Sequence, residues 1–515
     1  MKHMKKTIYN LIGAAALALA VSACQMDLIP TSVIVYDENE PTIQKQSDLT
    51  AFESGIHAIF RGQHQGTYYY VSDLMTDGFN ATMDFGNNFG PVHRTDADFT
   101  AGDSDVETLY GGYYSCINQY NLDIAAANTI ADKELKDAAK TFKGYAFFYR
   151  AYSYLFLARY FGKVYNAATA STDLSVPLVT VYDQNARPAR ATQQQIYDQV
   201  KSDLDSAAVF LAEVEPVEGQ IPMKPTIDAV NALYARYYLD VKDFAHAAEC
   251  AQEVIDRGYY ILSADEFDFE EEFVNDNGHE AILQMYAHLN EAPNGLGNYT
   301  RLTKVNNRTV YTPYFLPSAK LLDSYDEDDL RLNCWFKPAD ESAYPIYMTG
   351  SVRVNGDVKV FTKFEGNMTY TSQPLPQGQQ AVKPFRISEM YLIAAEALFQ
   401  NGQQPKALEL LNQLQEARSA TLTTNISMDA IQKEWFRETV GEGQRLWCLK
   451  RWGLGFNGRK GQASALAEGL IYTGEYYTDR NVPAGDYHFT LPIPTYEMKV
   501  NPNLVQNEGY DLLNN

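Results

Sequence analysis

The chain has 515 residues, which is enough for several ordinary domains or for one large helical array. Hydrophobic residues make up 45% and charged residues 21%, so most of the chain is expected to fold around a large core. The formal net charge of -23 argues against a nucleic-acid partner, because phosphate backbones are bound by clustered Lys and Arg. The five cysteines include no CxxC pair, so they indicate neither a zinc site nor a disulfide framework.

The N-terminal 23 residues carry lysines followed by a short apolar run over 11–20. This run is too short to span a bilayer, which needs about 20 apolar residues, and it is typical of a secretory signal peptide. The small residues before Cys24 resemble a bacterial lipobox, in which the cysteine is acylated and becomes the new N-terminus. The sequence therefore predicts a signal peptide over 1–23 and lipid attachment at Cys24. Ordinary cleavage beside an incidental cysteine is the alternative.

Residues 24–47 are polar and contain Pro30 and Pro41, which predicts an extended arm behind the lipid anchor. Residues 48–258 are predicted to form a first helical-repeat part, because apolar residues recur there at steps of three and four. The predicted helices cover 49–60, 106–130, 135–160 and 193–211. The aromatic residues spaced along 142–156 are predicted to lie in the core.

The segment 62–103 breaks the helical pattern. It is dense in Gly, Asn, Asp and aromatic residues, and it is too long for an ordinary connection. Long irregular segments inside compact proteins are usually functional or disordered, and this one is too aromatic for disorder. We therefore expect a variable, functional loop.

The most regular pattern covers 385–418, where two apolar helical stripes flank a stop at Gly402. The segment 228–258 shows the same pattern at a constant offset, so that Ala235 matches Ala395. Two amphipathic helices joined by a short turn, with small residues near their crossing, are the unit of a tetratricopeptide-like repeat. A chance likeness between alanine-rich helices is the alternative.

Residues 259–384 differ in character, because Pro and Gly are frequent and helical periodicity is sparse. Strand-like runs occur at 281–286 and 358–361. Residues 385–515 return to the helical register and end in a proline-rich tail, which is predicted to be ordered but not helical. The predicted fold class is therefore mainly α, a tetratricopeptide-like helical-repeat scaffold with an inserted irregular, loop-rich α+β subdomain.

The sequence contains none of the common catalytic or nucleotide-binding motifs. No nucleophile elbow, H-E-x-x-H pair or phosphate-binding loop occurs. The acidic clusters at 270–276 and 323–329 do not fit the EF-hand pattern, so solvated acidic faces are expected, with an adventitious calcium as the alternative. We predict a binding protein, with no catalytic residues, no metal and no cofactor.

Several segments, in the same order along the chain, resemble one known family. They are the lipobox with the following QMDLIPTS, the repeat pair at 385–418, Glu442-Gly443-x-Arg445 followed by Leu449-Lys450-Arg451-Trp452, and the ending LPIPTYEMKVNPNLVQNEGY. They are similar to segments of the SusD/RagB outer-membrane nutrient-binding lipoproteins. The departures from the usual residues, all at scaffold positions, are Gln444, Cys448 and Glu508.

This resemblance implies a surface-exposed lipoprotein of a Gram-negative outer membrane. Its partners would be the outer-membrane lipid, through the acylated cysteine, and a SusC-like TonB-dependent transporter over which the protein forms a hinged lid. The helical repeats would face the transporter. The variable loops would carry an oligosaccharide ligand, often on an aromatic platform.

Sugar rings present C–H faces that stack on aromatic rings, while their hydroxyls need polar partners. The loops at 79–94 and 286–301 offer such a mixture, with loop packing as the alternative for each side chain. The predicted ligand-binding residues are Asn80, Phe85, Asn87, Asn88, Phe89, Arg94, Tyr286, Asn298, Tyr299 and Arg301.

The identity of the ligand stays open between two classes. The chain has only 4 Trp, and just one of them, Trp335, lies in the variable region, where we expect it in a packed strand of the core. This shortage weakens the case for a long polysaccharide and favours the alternative of a peptide held by Asn and Arg in Tyr-lined grooves. A surface glycosidase is a third possibility, and it would need two carboxylates in one cleft.

Overall fold

The computed structural model describes residues 42–64, 66–293 and 295–510. The predicted signal peptide, Cys24 and most of the predicted arm at 24–47 lie outside these ranges. Within them, no helix is long and apolar enough to cross a membrane.

Helices form most of the regular structure. In the first half of the chain they are α1 Gln46–Gly62, α2 Thr67–Leu74, α3 Gly90–Arg94, α4 Ser104–Asn128, α5 Lys133–Phe161, α6 Gln193–Leu211, α7 Ile227–Asp240 and α8 Phe244–Asp256. In the second half they are α9 Glu266–Glu270, α10 Ala319–Leu322, α11 Leu330–Cys334, α12 Ile387–Gln400, α13 Gln404–Ala417, α14 Met428–Glu438, α15 Arg445–Trp452, α16 Ala465–Glu468 and α17 Thr495–Val500. The predicted mainly α fold class is confirmed.

The strands are short and scattered. They are β1 Phe79–Ala81, β2 Leu174–Pro177, β3 Arg190–Thr192, β4 Ala281–Leu283, β5 Leu302–Val305, β6 Arg308–Tyr311, β7 Phe315–Pro317, β8 Phe336–Ala339, β9 Ile346–Met348, β10 Ser351–Arg353, β11 Asn355–Phe361, β12 Phe385–Arg386, β13 Phe456–Asn457 and β14 Asn481–Val482. One sheet has the order β10-β9-β6-β5, in which β6 and β9 are parallel. The other strands form antiparallel pairs, namely β1–β7, β2–β3, β4–β12, β8–β11 and β13–β14.

Aromatic rings hold the first helices together. Phe60 on α1 stacks on Tyr149 on α5 with 4.0 Å between ring centroids, and Tyr152 stacks on Phe156 at 4.3 Å. All four rings are buried, which confirms that the aromatic stripe along α5 is core. Offset ring pairs of this kind add about 0.5–1.5 kcal/mol beyond the burial of their area.

The repeat inferred from the alanine pattern consists of two helical hairpins packed on each other. The first is α7 with α8, the second is α12 with α13, and α12 lies against α8. Ala235, Ala395 and Ala407 are fully buried at these contacts, because a small side chain lets two helices approach closely. The prediction of a second copy is confirmed.

Three local predictions are wrong. The segment 62–103 is not irregular throughout, because α2, β1 and α3 lie within it. The tail contains the helix α17, and its prolines flank that helix instead of interrupting it: Pro494 precedes α17 and Pro502 follows it. Trp335 is buried as predicted, but it follows the last residue of α11 and is not in a strand.

Helix α2 belongs to two hydrophobic cores at once. Val71 contributes to the large core of the helical scaffold, whereas Tyr70 and Leu74 contribute to a smaller, aromatic core under the loops. Residues four apart lie on one face of a helix, so Tyr70 and Leu74 present one face and Val71 another. The loop region is therefore built directly onto the scaffold.

A buried ion network joins the same two regions. Glu438, at the end of α14, forms ion pairs with Arg418 at 2.8 Å, Arg386 at 3.1 Å and Arg331 at 2.9 Å. All four side chains are buried. Burial alone would raise the pKa of Glu438, but the three guanidinium groups hold it well below the ordinary range of a carboxyl group. We call Glu438 and its three arginines the Glu438 network.

Candidate ligand-binding site

Four half-buried aromatic rings lie at the edge of the smaller core. Tyr472 and Tyr477 stack with 5.0 Å between their centroids and 23° between their planes. Phe89 and Tyr314 pack against the same core. We call these four residues the aromatic rim. They pack against buried rings, which hold them in place, and each of the four residues is partly exposed.

Backbone pairing brings the distant parts of the rim together. The N–H of Tyr472 donates to the carbonyl of Ala81, the last residue of β1, at 3.0 Å, and the N–H of Thr82, the next residue, donates to the carbonyl of Tyr314 at 2.9 Å. The end of β1 thus lies between the two tyrosine-bearing segments. Phe85 fills the space beneath, 5.5 Å from the ring of Tyr472.

The turn that carries Phe89 depends on a glycine. A Cβ atom on Gly90 would lie 1.9 Å from Oδ1 of Asn87 and 2.8 Å from Nη1 of Arg94. Because these distances are too short for any carbon, only glycine lets the Asn87 side chain and the Arg94 guanidinium close over the turn. Asn87 and Phe89 have left-handed backbone, with φ of 61° and 52°.

Arg94 is fully engaged within this turn. It donates to Oδ1 of Asn87 at 2.7 Å, pairs with Asp96 at 2.5 Å and Asp98 at 3.2 Å, and reaches the hydroxyl of Tyr477 at 3.5 Å. Partial burial acts against its charge, but the bonds to Asp96 and Tyr477 raise the pKa of Arg94 above its ordinary value. Arg94 therefore braces the rim.

The second predicted segment, 286–301, meets the rim through Tyr70 and Tyr314. The N–H of Asn298 donates to the hydroxyl of Tyr70 at 3.1 Å, and the ring of Tyr70 lies 5.1 Å from Phe89. The exposed Arg301 places its guanidinium 4.6 Å from the ring centre of Tyr314 and donates to its hydroxyl. The structure thus gathers parts of both predicted loops on one surface.

Two family models match the chain. Residues 339–510 match the model of the SusD family, and residues 35–239 match one described as "Starch-binding associating with outer membrane". The chain belongs to the SusD/RagB family. The resemblance inferred from its motifs is confirmed.

Individual proteins agree with this assignment. The SusD-like protein P25 of Formosa agariphila is 30% identical over 139 residues, which cover 24% of each chain. The SusD-like protein P2 of the same organism is 24% identical over 451 residues, covering 80% of this chain and 82% of that one. The crystal structure of a SusD superfamily protein from Bacteroides thetaiotaomicron superposes with a TM-score of 0.72 at 25% identity, covering 89% of this chain and 99% of that one.

Three of the predicted ligand residues of this SusD/RagB chain are buried. Tyr299 is 0% exposed, Asn80 is 2% exposed and Phe85 is 3% exposed. Tyr299 packs 4.5 Å from the ring of Phe79, and the Asn80 amide donates to the carbonyl of Lys460 at 3.4 Å. As the chain is folded they support the surface from below, and their burial leaves them no face for a ligand.

The other predicted residues reach the surface, though not all in one place. Asn87 is exposed, and Asn88, Phe89 and Asn298 are half-buried. Tyr286 is 47% exposed, and its carbonyl accepts a bond from Arg61 at the end of α1. These contacts place Tyr286 beside α1 instead of the rim.

Tyr314, Tyr472 and Tyr477 are not among the residues predicted from the sequence. The segment 471–480 reads IYTGEYYTDR, and its three tyrosines between polar residues were a usable signal. It stood within a region predicted to be scaffold. Its place at the rim follows from pairing with β1, a contact between distant segments that carries no local pattern.

The largest cavities described lie elsewhere, on the helical scaffold. One of about 910 Å³ is an open groove between α8 and the α12–α13 turn, and one of about 660 Å³ lies beside α15. The described residues include no group of three or more His, Cys, Asp or Glu that could hold a metal ion.

Proposed function

We propose that this protein is a cell-surface, lipid-anchored binding protein that captures oligosaccharides on the aromatic rim and delivers them to a SusC-like TonB-dependent transporter. The observation that carries the proposal is the packing of four half-buried aromatic rings on one core, with Asn87 and Asn88 on the turn that bears Phe89. Membership of the SusD/RagB family and the match to a model described as starch-binding support it.

The chemistry of the rim suits a sugar. Pyranose C–H faces stack on the half-exposed faces of tyrosine and phenylalanine, and the side-chain amides can exchange hydrogen bonds with hydroxyls. Because the rings are already held by the core beneath them, little conformational entropy is lost when a ligand settles on them.

Three of the carboxylates near the rim are held by partners, which favours binding over hydrolysis at those positions. Asp96 and Asp98 are paired with Arg94, and Asp84 accepts the N–H of Thr349 at 2.6 Å. A glycosidase needs one carboxyl group free to give a proton and a second to act on the sugar. Carboxylates held by such partners are poorly suited to either role.

Replacing Tyr472 or Tyr477 by alanine is expected to weaken oligosaccharide binding about tenfold, because one stacked ring contributes about 1.4 kcal/mol. Isothermal titration with maltoheptaose and with a panel of other neutral oligosaccharides measures this. Tyr496→Ala is the matched control, since Tyr496 is 63% exposed on α17, away from the rim.

The same titration series separates the alternatives. Binding of peptides but of no oligosaccharide would change the ligand class and keep the import role. Unchanged affinity in both rim variants would remove the rim as the site. Turnover of a glycan, abolished by one carboxylate substitution, would replace the binding-protein proposal by that of a surface glycosidase.

A further inference from the structure

A second cleft lies on the scaffold, formed by residues that the aromatic rim does not use. Its volume is about 660 Å³, within the range of small-molecule sites. The end of α5, the turn between α7 and α8, α15 and the C-terminal segment form its walls. We call it the lysine cleft, after Lys163, Lys242 and Lys450, which line it.

Four basic side chains, Lys163, Lys242, Lys450 and Arg451, line the cleft together with two acidic ones, Asp486 and Glu508. Lys242 is exposed and makes no ion pair with any residue that the structure describes. The ammonium of Lys450 donates to the carbonyls of Arg159 at 2.5 Å and Gly162 at 3.1 Å and has no carboxylate partner among the described residues. Desolvation lowers the pKa of Lys450 to about 7, so a neighbouring anion would favour its charged form. Lys163 forms an ion pair with the exposed Glu508, with 3.2 Å between the ammonium nitrogen and the carboxylate oxygen.

The backbone at Lys242 is strained, and the chain itself provides the comparison. Lys242 ends the turn of the first hairpin with φ of 62°, and the matching position in the second hairpin is Gly402 with φ of 76°. Both turns close with the same bonds, from Lys242 to Leu239 and from Gly402 to Phe399. Glycine adopts this left-handed conformation without strain, whereas lysine does not. A lysine at such a position points to a role for its side chain.

Arg159, beside Lys163 and Lys450, has a guanidinium nitrogen without a partner among the described residues. Arg159 is 7% exposed and uses Nε and Nη2 to bind Asp240, but its buried Nη1 has no partner among the described residues. Arg159 lines a small cavity of about 30 Å³ that shares Lys163 and Lys450 with the lysine cleft. Because Nη1 is buried, a ligand in the lysine cleft does not contact it.

The cleft also has aromatic walls. Trp452 is half-buried and Tyr487 is 43% exposed, and both line it. Rings of this kind stack on sugar faces, as they do for any ligand with an apolar face and a polar edge.

We infer that the lysine cleft is a second ligand site, which binds an acidic sugar by its carboxylate through Lys242 and Lys450 and by its ring through Trp452 and Tyr487. It would recognise uronate-containing saccharides, whereas the aromatic rim takes neutral ones. The inference does not depend on the rim being a ligand site.

Titration of the full chain with digalacturonate, and with neutral galactobiose as the matched sugar, tests this site. Digalacturonate is expected to bind at least tenfold more tightly than galactobiose. Equal binding of the two sugars, or inorganic phosphate binding as tightly as digalacturonate, would overturn the inference.

Two substitutions at one position separate charge from strain. Lys242→Gln removes the charge and keeps a side chain on the strained backbone, so digalacturonate binding should fall at least fivefold with an unchanged melting temperature. Lys242→Gly should lose binding equally and raise the melting temperature.

Lys406→Ala, which removes a lysine from the other scaffold groove, is the charge control. Tyr472→Ala should leave digalacturonate binding intact, which keeps the outcome independent of the rim. Full binding by both Lys242 variants would refute the site.

Discussion

Gly90 and Arg94 determine the shape of the surface on which Phe89 stands. The space above Gly90 is filled by the amide of Asn87 and by the guanidinium that holds it. The same guanidinium reaches Tyr477 from the other side of the rim. One absent methyl group therefore allows a single arginine to connect two loops.

Gly90→Ala is expected to lower the affinity of the rim for oligosaccharide at least fivefold, because the new Cβ must displace Asn87 or Arg94. Isothermal titration with maltoheptaose measures the effect, and the melting temperature checks that the variant is folded. Gly102→Ala is the control, since the atom nearest to its Cβ would be 3.8 Å away, an ordinary contact. Equal affinities in the two variants would contradict the role of this turn.

At the scale of elements, the packing of helices and loops is secured by charges as well as by rings. Arg386 comes from β12, Arg331 from α11 and Arg418 from the residue after α13, and all three meet at the end of α14. The Glu438 network therefore ties four elements at one carboxylate. Removing Glu438 would take one partner from three buried arginines, which keep Glu280, Asp329, Glu434 and Glu442 as their other carboxylate partners.

Glu438→Gln is expected to lower the free energy of unfolding by about 3–5 kcal/mol, measured by urea denaturation at pH 7. The folded-state pKa of Glu438 is lowered, so its contribution is present above the unfolded pKa of about 4.3 and is lost as the pH falls through the folded value. The difference between the two proteins should therefore shrink in acid.

The control for this measurement is Glu341→Gln. Glu341 pairs with Arg308 at 3.3 Å, but its side chain is 75% exposed, so the change should stay within about 0.5 kcal/mol. If the two variants were equally stable, the Glu438 network would contribute no more than a surface pair.

The elements divide into those that the sequence could reveal and those that it could not. The hairpins α7–α8 and α12–α13 were predictable, because their apolar stripes repeat at a constant offset and need no distant partner. The aromatic rim was only partly predictable. Phe89 lies in a loop whose composition drew attention, whereas Tyr314 and Tyr472 join it through pairing with the end of β1. Burial of Tyr299 and Phe85 likewise depends on contacts that local composition does not encode.

At the scale of the whole molecule, we propose that the protein captures its ligand outside the cell. One lipid-bearing residue would hold it to the outer membrane. With a formal net charge of -23, the protein would be repelled by an anionic membrane face. Attachment should therefore depend on acyl chains and not on surface charge.

Cys24→Ala is expected to abolish incorporation of radiolabelled palmitate and to release the protein from the membrane fraction. Membrane fractionation with autoradiography of the labelled protein measures both effects. Cys116→Ala, at a half-buried position on α4, should be labelled like the parent chain. Palmitate still present on the Cys24 variant would refute the assigned attachment site.

Helix α2 has a consequence for how this protein can diverge. Residues of the rim and of the lysine cleft stand on turns and segment ends, where substitutions can alter ligand preference one at a time. Tyr70, Val71 and Leu74 have no such freedom, because a change on either face of α2 disturbs one of the two cores that this helix joins. Lineages that acquire new nutrients are therefore expected to retain α2 while the loops around it diversify.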